Sequence, residues 1–283
     1  MKIPADEVAR LTALYRDAQA IIERQMLTAA AKGTSTARLA LIREEILATL
    51  ADLADGSRQW AAEAIPEAYS SGVVAAQAML RGYGIKADFD GLHTQAAQVL
   101  ADNVHATFGS VTASIGRQVD DQLRAYALDA ITGPLFGAGT TRDAKADIFT
   151  RLVNGGEGVM RTRADGSGYL GFQVTPGGKY WDMQTYAEMS ARTTLADAMR
   201  TGTEIRLGEA GIDLVDVVGG GANVCDSCAS AEAGGPYSLS GNDPDHMSLA
   251  EAEATYDHLF SANCSHSVAA NTDAFDALTN EGN

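Results

Sequence analysis

Residues 100–126, LADNVHATFGSVTASIGRQVDDQLRAY, carry the clearest secondary-structure signal in the chain. Apolar side chains recur there at intervals of three or four residues, which is the spacing of a single helix face. The stripe is narrow, as in helices that pack along their length against a neighbour. We therefore predict one helix from about Asp90 to Ile131, the longest element of the chain. The stripe consists of Leu100, Val104, Phe108, Val111, Ile115, Val119, Leu123 and Tyr126.

The sequence before this helix shows the same spacing in three groups. Apolar residues recur helically over residues 8–22, 39–53 and 60–80. Ser57 precedes the third group, and serine is a favoured N-cap residue, so a new helix is expected to begin there. These groups and the long helix predict an N-terminal helical bundle domain that spans residues 1–135.

The second half of the chain has a different character. A glycine-rich connecting loop with a short helix, residues 136–160, leads into aromatic and glycine residues that predict a small β-hairpin or meander. A helix from Met183 to about Leu207 and a buried strand over residues 212–218 follow. Residues 161–283 therefore form a small α+β domain, and the fold class is mainly α.

Charge and composition limit the classes of partner and the location that the chain is expected to have. The chain of 283 residues has a net charge of −16, and after residue 200 fourteen acidic residues stand against one basic residue, Arg206. Such a surface repels phosphate, so at most weak or indirect DNA contact is expected, while a basic protein partner or simple solubility fits. There is neither a long apolar span nor a signal peptide, which predicts a protein without membrane contact that is made in a cytoplasm.

All three cysteines lie in two short segments, Cys225-Asp-Ser-Cys228 and Cys264-Ser-His266. A CxxC turn offers two thiolates to one metal ion, and the second segment adds a thiolate and an imidazole. Three sulfurs and one imidazole form a closed tetrahedral zinc site, which is structural because no position stays open for water or substrate. We therefore predict Zn²⁺ bound by Cys225, Cys228, Cys264 and His266, with His246 or His258 as alternatives to His266.

Two other interpretations of the cysteines stay open. One is a set of thiols that bind no metal. The other is a redox CxxC pair, which normally opens a helix in a βα context. Here the pair follows a strand and a glycine loop, and a third cysteine would be left over, so a zinc site is the stronger prediction.

Four stretches after residue 180 carry a resemblance to a known family: WDMQTYAEMSARTT at 181–194, the strand at 211–217, the CxxC turn and its continuation at 225–241, and LFSANCSHS at 259–267. Their order resembles the minor capsid proteins of tailed bacteriophages, which are related to the phage head-morphogenesis family. The chain departs from the family pattern at Ser261-Ala262, where the proteins that it resembles carry His-Pro before Asn-Cys.

The resemblance implies a structural virion protein with no catalytic activity. It implies a minor head protein present in multiple copies, located at the portal vertex or capsid interior and in the host cytoplasm during assembly. Its partners would be the portal or major capsid protein, and its roles head assembly and genome delivery. We take Trp181, Tyr186, Met189 and Arg192 as candidate interaction residues, with a hydrophobic core that joins hairpin to helix as the alternative.

Two other functions also fit parts of the sequence. A metal-dependent nuclease with a structural zinc knuckle would use His246, His258 and the nearby Asp243 or Asp245, because acidic clusters bind Mg²⁺. A non-viral zinc-stapled scaffold or adaptor would show the same sequence features and differ only in its biological context. The motifs of zinc deaminases, HExxH proteases and phosphate-binding loops do not occur.

Overall fold

A computed structural model describes residues 3–31, 34–85, 93–132, 160–162, 168–174, 178–219, 224–262 and 264–271. The fold is mainly helical, as predicted. The helices in these ranges are α1 (Ala5–Ala29), α2 (Thr36–Gly82), α3 (Thr94–Thr132), α4 (Met183–Glu209), α5 (Asp226–Gly234) and α6 (Leu249–Thr255). The strands are β1 (Met160–Thr162), β2 (Gly168–Gln173), β3 (Tyr180–Asp182), β4 (Leu214–Val218), β5 (Tyr237–Ser238) and β6 (Ser267–Ala270). None of the described helices is both long enough and apolar enough to cross a bilayer.

The long predicted helix is confirmed as α3, and every residue of its apolar stripe is buried or half-buried. Two details of the helix prediction are wrong. Helix α2, with 47 residues, is longer than α3, with 39. It also runs through Ser57, which is fully buried inside it. A Cβ on Gly56, the residue before that serine, would lie 3.2 Å from Leu14 Cδ1, so a larger residue there would require the Leu14 side chain to shift.

Packing groups the chain into two compact units, each assembled from separate stretches of sequence. Unit 1 comprises Met1–Val8, Ala61–Val104 and Met189–Asn283, and unit 2 comprises Ala9–Trp60 and His105–Glu188. The predicted sequential division into residues 1–135 and 161–283 stays a prediction. Nearly all of the predicted connector between those two domains lies outside the described residues.

Unit 2 has an aromatic core. The ring of Phe108 on α3 lies 6.1 Å from that of Tyr15 on α1 and 5.9 Å from that of Trp60 on α2. Tyr186 on α4 continues the cluster, 6.3 Å from Tyr15 and 5.5 Å from Phe172 on β2. Tilted and edge-to-face ring pairs of this kind add about 0.5–1.5 kcal/mol each beyond simple burial. The cluster therefore joins three helices of the predicted bundle to the sheet of unit 2.

The predicted meander is confirmed as an antiparallel sheet of order β1-β2-β3. Helix side chains bind its backbone. The side chain of Gln118 on α3 accepts a hydrogen bond from the Gln173 N–H and donates one to the Gln173 carbonyl, both at 3.2 Å. Glu23 on α1 accepts from the Leu170 N–H at 2.7 Å. Side chains of α1 and α3 therefore fix the position of β2 within unit 2.

Unit 1 contains a close crossing of α2 and α4. A Cβ on Gly72 would lie 1.8 Å from the Met199 carbonyl oxygen, and one on Gly202 would lie 2.3 Å from the Tyr69 carbonyl oxygen. The hydroxyl of Thr203 donates to the Gly72 carbonyl at 3.1 Å. The two helices thus touch backbone to backbone, and only glycine fits at the contact.

The second sheet, of order β5-β4-β6, lies in unit 1 and packs on the ends of α2 and α4. Both helices end in the same way. The N–H of Ile85 donates to the Leu80 carbonyl after Gly84 (φ 77°), and that of Ile212 donates to the Leu207 carbonyl after Gly211 (φ 79°). This is the Schellman arrangement, in which a left-handed glycine turns the chain and an apolar residue returns to the core. The second of these turns leads the chain into β4.

The helix crossing generates a stability prediction. Gly202→Ala should destabilise the protein by about 2 kcal/mol or more, because the new methyl group meets backbone that cannot move aside. Gly208→Ala in the same helix is the matched control, since a Cβ there has no neighbour within 4 Å. It should be neutral or stabilising by ~0.5 kcal/mol. Urea denaturation of both variants checks this, and equal stabilities would contradict the crossing.

Candidate metal centre

The pairing of β4 with β6 brings the two cysteine segments together. The strands are antiparallel, with Val218 opposite Ser267. The chain that leaves β4 toward Cys225 and the chain that enters β6 from Cys264 therefore meet at the same end of the sheet. Two segments that are distant in sequence become neighbours for this reason.

Three of the four predicted ligands form a tight group. The sulfurs of Cys228 and Cys264 and a ring nitrogen of His266 all lie within 4.8 Å of one another. The Cys264 sulfur is 3.2 Å from His266 Nδ1. The edges of a tetrahedron of sulfur and nitrogen ligands around zinc measure about 3.5–3.8 Å. These residues have the donor types and the spacing to hold a metal ion.

Cys225 lies next to this group but is exposed. It occupies the N-cap position of α5 with an extended backbone. The nearby backbone N–H of Cys228 lowers the pKa of the Cys225 thiol, because it favours the thiolate. The CxxC pair thus does open a helix, contrary to the expectation from sequence. The third cysteine and the histidine, which lie close to Cys228, therefore provide the evidence that disfavours a redox pair.

Cys228 is buried and crowded by other ionisable groups. Burial, followed by the nearby thiols of Cys225 and Cys264, raises the pKa of its thiol to about 12. Its sulfur lies 3.5 Å from the His258 carbonyl oxygen, to which the thiol donates. A bound divalent cation reverses such crowding, because it stabilises each thiolate that coordinates it. The close spacing of these sulfurs is therefore more favourable with a bound cation than with three free thiols.

Glu232 completes the surroundings of the histidine, and sequence reasoning missed it. The ring of His266 is almost fully buried, with Nδ1 toward Cys264 and Nε2 3.2 Å from Glu232 Oε1. Histidine ligands commonly bind a carboxylate through the ring nitrogen that faces away from the metal. Glu232 follows Cys228 by four residues on α5, so both lie on one helix face. That spacing is the signal that could have identified it.

The other histidines lie elsewhere. The exposed ring of His258 and the ring of His246 both fall outside the cysteine group. His246 Nδ1 is 3.1 Å from Asp243 Oδ1, and the Asp245 N–H also donates to that carboxylate. In the part of the chain that the structure describes, these residues join no group of three with the spacing of metal ligands. The geometry gives the nuclease hypothesis no assembled site.

The four candidate interaction residues have different surroundings. Tyr186 is buried against Phe172, which agrees with the alternative that this residue belongs to the hydrophobic core. Trp181 on β3 is half-buried and pairs in register with Phe172. On α4, Met189 is half-buried and Arg192 is exposed. Their part in binding a partner stays a prediction.

An ion-pair network on Arg200 holds the segment that precedes Cys264. The guanidinium lies 4.0 Å from the centre of the Phe260 ring. It also pairs with Asp197 at 3.2 Å, with Glu204 at 3.5 Å and with Glu253 on α6. One arginine thus connects α4, α6 and the loop that leads to Cys264. Burial raises the pKa of Glu204 to about 7, because its carboxylate is removed from water.

That raised pKa predicts a pH effect on stability. From an ordinary value of 4.5 up to about 7, folded Glu204 keeps a proton that the unfolded chain has released. Stability should therefore fall as pH rises through this window. Relative to wild type, Glu204→Gln should gain stability between pH 5 and pH 8, as measured by urea denaturation.

Glu251 provides a control of opposite sign. Hydrogen bonds from the backbone and side chain of Ser248 lower the pKa of this carboxyl. Glu251→Gln should therefore be less stable than wild type above about pH 5, and the difference should shrink as pH falls through the lowered pKa. A Glu204→Gln stability difference that is flat from pH 5 to pH 8 would contradict the buried, protonated glutamate.

Comparison with known proteins agrees with the resemblance. The sequence profile of the family described as phage minor capsid protein 2 matches residues 34–273. That range covers five of the six described helices and both sheets. No curated protein and no solved structure matches the chain. With most of its length matched, the chain belongs to the phage minor capsid protein 2 family.

Proposed function

We propose that this protein is a structural minor head protein of a tailed bacteriophage. It assembles into the virion through contacts with the portal or the major capsid protein, in multiple copies, and it has no catalytic activity of its own. The family match over residues 34–273 carries this proposal. The location at the portal vertex or capsid interior, and a part in genome delivery, belong to the same proposal.

The chemistry of unit 1 supports a structural role. The strongly acidic sequence after residue 200 disfavours contact with packaged DNA, because phosphate is repelled. Cys264 and His266 of the metal group line a small pocket together with Thr193 and Ala196 of α4. With Cys225 as the fourth ligand, the set would leave no coordination position for a substrate. The group is therefore better suited to stabilising the fold than to catalysis.

We propose that the group binds Zn²⁺, with Cys225 as the fourth ligand. Cys225 is the N-cap of α5, three residues before Cys228, and the Cys228 N–H lowers the pKa of its thiol and so favours the thiolate that binds metal. Sulfur and imidazole ligands at these spacings are typical of structural zinc. Such a site contributes on the order of 10 kcal/mol to folding at neutral pH. That is comparable to the whole net stability of an ordinary domain.

Metal analysis tests the zinc site. Protein purified without added metal should contain about one zinc per chain, and His266→Ala and Cys228→Ser should lose it. Circular dichroism should show that Cys228→Ser unfolds or aggregates, since it loses a buried ligand. His258→Ala, whose exposed ring lies outside the group, is the matched control and should keep the metal. Metal-free wild type with a Cys225–Cys228 disulfide would contradict zinc and support a redox pair.

The virion role has its own test, on particles of a phage that encodes this chain. The protein should be found in purified mature particles and should co-purify with the portal from assembly intermediates. We expect Trp181→Ala and Arg192→Ala to lower its incorporation several-fold while both variants stay folded. Absence from particles, or cleavage of DNA that requires His246 and Asp243, would overturn the structural assignment in favour of an adaptor or a nuclease.

A further inference from the structure

Unit 1 contains a cavity of about 620 Å³ that the metal group does not use. It is formed by the last turns of α4, the start of β4, the loop after β5 and helix α6. Its apolar lining includes Ile205, Ile212 and Leu249, and its polar lining includes the carboxylates of Glu204, Asp213 and Glu253. No lysine, arginine or histidine is among the described residues that line it. An elongated apolar side chain with a positive end would complement these walls.

The negative charges of these carboxylates are only partly neutralised by basic side chains of the protein itself. Arg200 is shared by Asp197, Glu204 and Glu253, so one cation stands against three acids. Among the described residues, Glu204 Oε1 has no hydrogen-bond donor, although Arg200 lies 3.5 Å away. Asp213 is held in place by the Ser238 hydroxyl and the Ser240 N–H, both at 2.7 Å. Because burial raises the pKa of Glu204, the standing negative charge of the cavity comes from Asp213 and Glu253, and a cation that enters would favour ionisation of Glu204 as well.

We propose that this cavity binds the side chain of an arginine presented by a partner protein. The guanidinium is planar and can pair with carboxylates on two different elements, here Glu204 on α4 and Glu253 on α6. It is more weakly hydrated than the lysine ammonium, so it enters a half-apolar site at lower cost. Its aliphatic stem can lie along Ile205 and Leu249.

Other occupants fit the cavity less well. A divalent cation needs several oxygen ligands around one point, and the described carboxylates here form no group of three with that spacing. Nucleic acid is repelled by the acidic walls. Arginine binding at this cavity does not depend on the virion role.

A pair of peptides tests the proposal on the intact protein. A fluorescent, end-blocked Gly-Arg-Gly peptide should bind, whereas the same peptide with citrulline should bind at least tenfold more weakly. Citrulline keeps the size of arginine and lacks its charge. Raising the salt concentration from 50 to 500 mM should weaken arginine binding, because the attraction is between charges. Equal binding of the two peptides would overturn the proposal.

Variants then locate the site. Glu204→Gln/Glu253→Gln should lower affinity for the arginine peptide at least tenfold, while the charge-matched control Glu44→Gln/Glu67→Gln, outside the cavity, should not. Should the first pair unfold, Ala250→Arg provides a second variant, since it adds a cation to an exposed lining position and leaves every carboxylate in place. Unchanged binding by Ala250→Arg, or displacement of the peptide by millimolar Mg²⁺ more effectively than by equal ionic strength of NaCl, would overturn the assignment.

Discussion

The antiparallel pairing of β4 with β6 governs the arrangement of the C-terminal segments. At one end of the pair, Val218 lies opposite Ser267, which places Cys264 and His266 beside the chain that leads to Cys228. At the other end, the Asn271 amide donates to both oxygens of Asp216, at 3.1 and 3.0 Å. A slip of one residue would turn each β6 side chain to the opposite face of the sheet. The register therefore fixes the core and the position of the Cys/His group together.

Helix α4 serves several purposes at once, because its faces have different neighbours. The small face at Gly202 lets α4 approach the backbone of α2 in unit 1. A neighbouring face carries Arg200, whose guanidinium reaches α6 and stacks on Phe260. The last turn ends in the glycine motif that starts β4. A change in the α2–α4 crossing would consequently move the acidic network and the segment before Cys264 together, so the position of the Cys/His group depends on a backbone contact made elsewhere.

Sequence reasoning succeeded where the signal was local and failed where it depended on a partner distant in the chain. The stripe of α3 was predictable because all of its residues face one side of one helix. The cysteines were predictable because few residue types bind metal. Ser57 does not begin a helix, because α2 continues through it and buries it, and that burial depends on partners distant in the chain. The three acids around Arg200 were not recognised as a cluster, since Glu253 joins it only through the approach of α6 to α4.

The surroundings of Cys228 distinguish a structural metal site from a redox pair better than the CxxC motif does. A redox dithiol needs two sulfurs, one exposed and one buried behind it, at the start of a helix. Cys225 and Cys228 satisfy that description, so the motif alone does not decide. The difference lies in what else contacts Cys228. A third sulfur and a buried imidazole lie within 4.8 Å, and a carboxylate lies beside the far nitrogen of that imidazole. A disulfide would use neither the third sulfur nor the oriented histidine, whereas tetrahedral coordination uses every one of these groups.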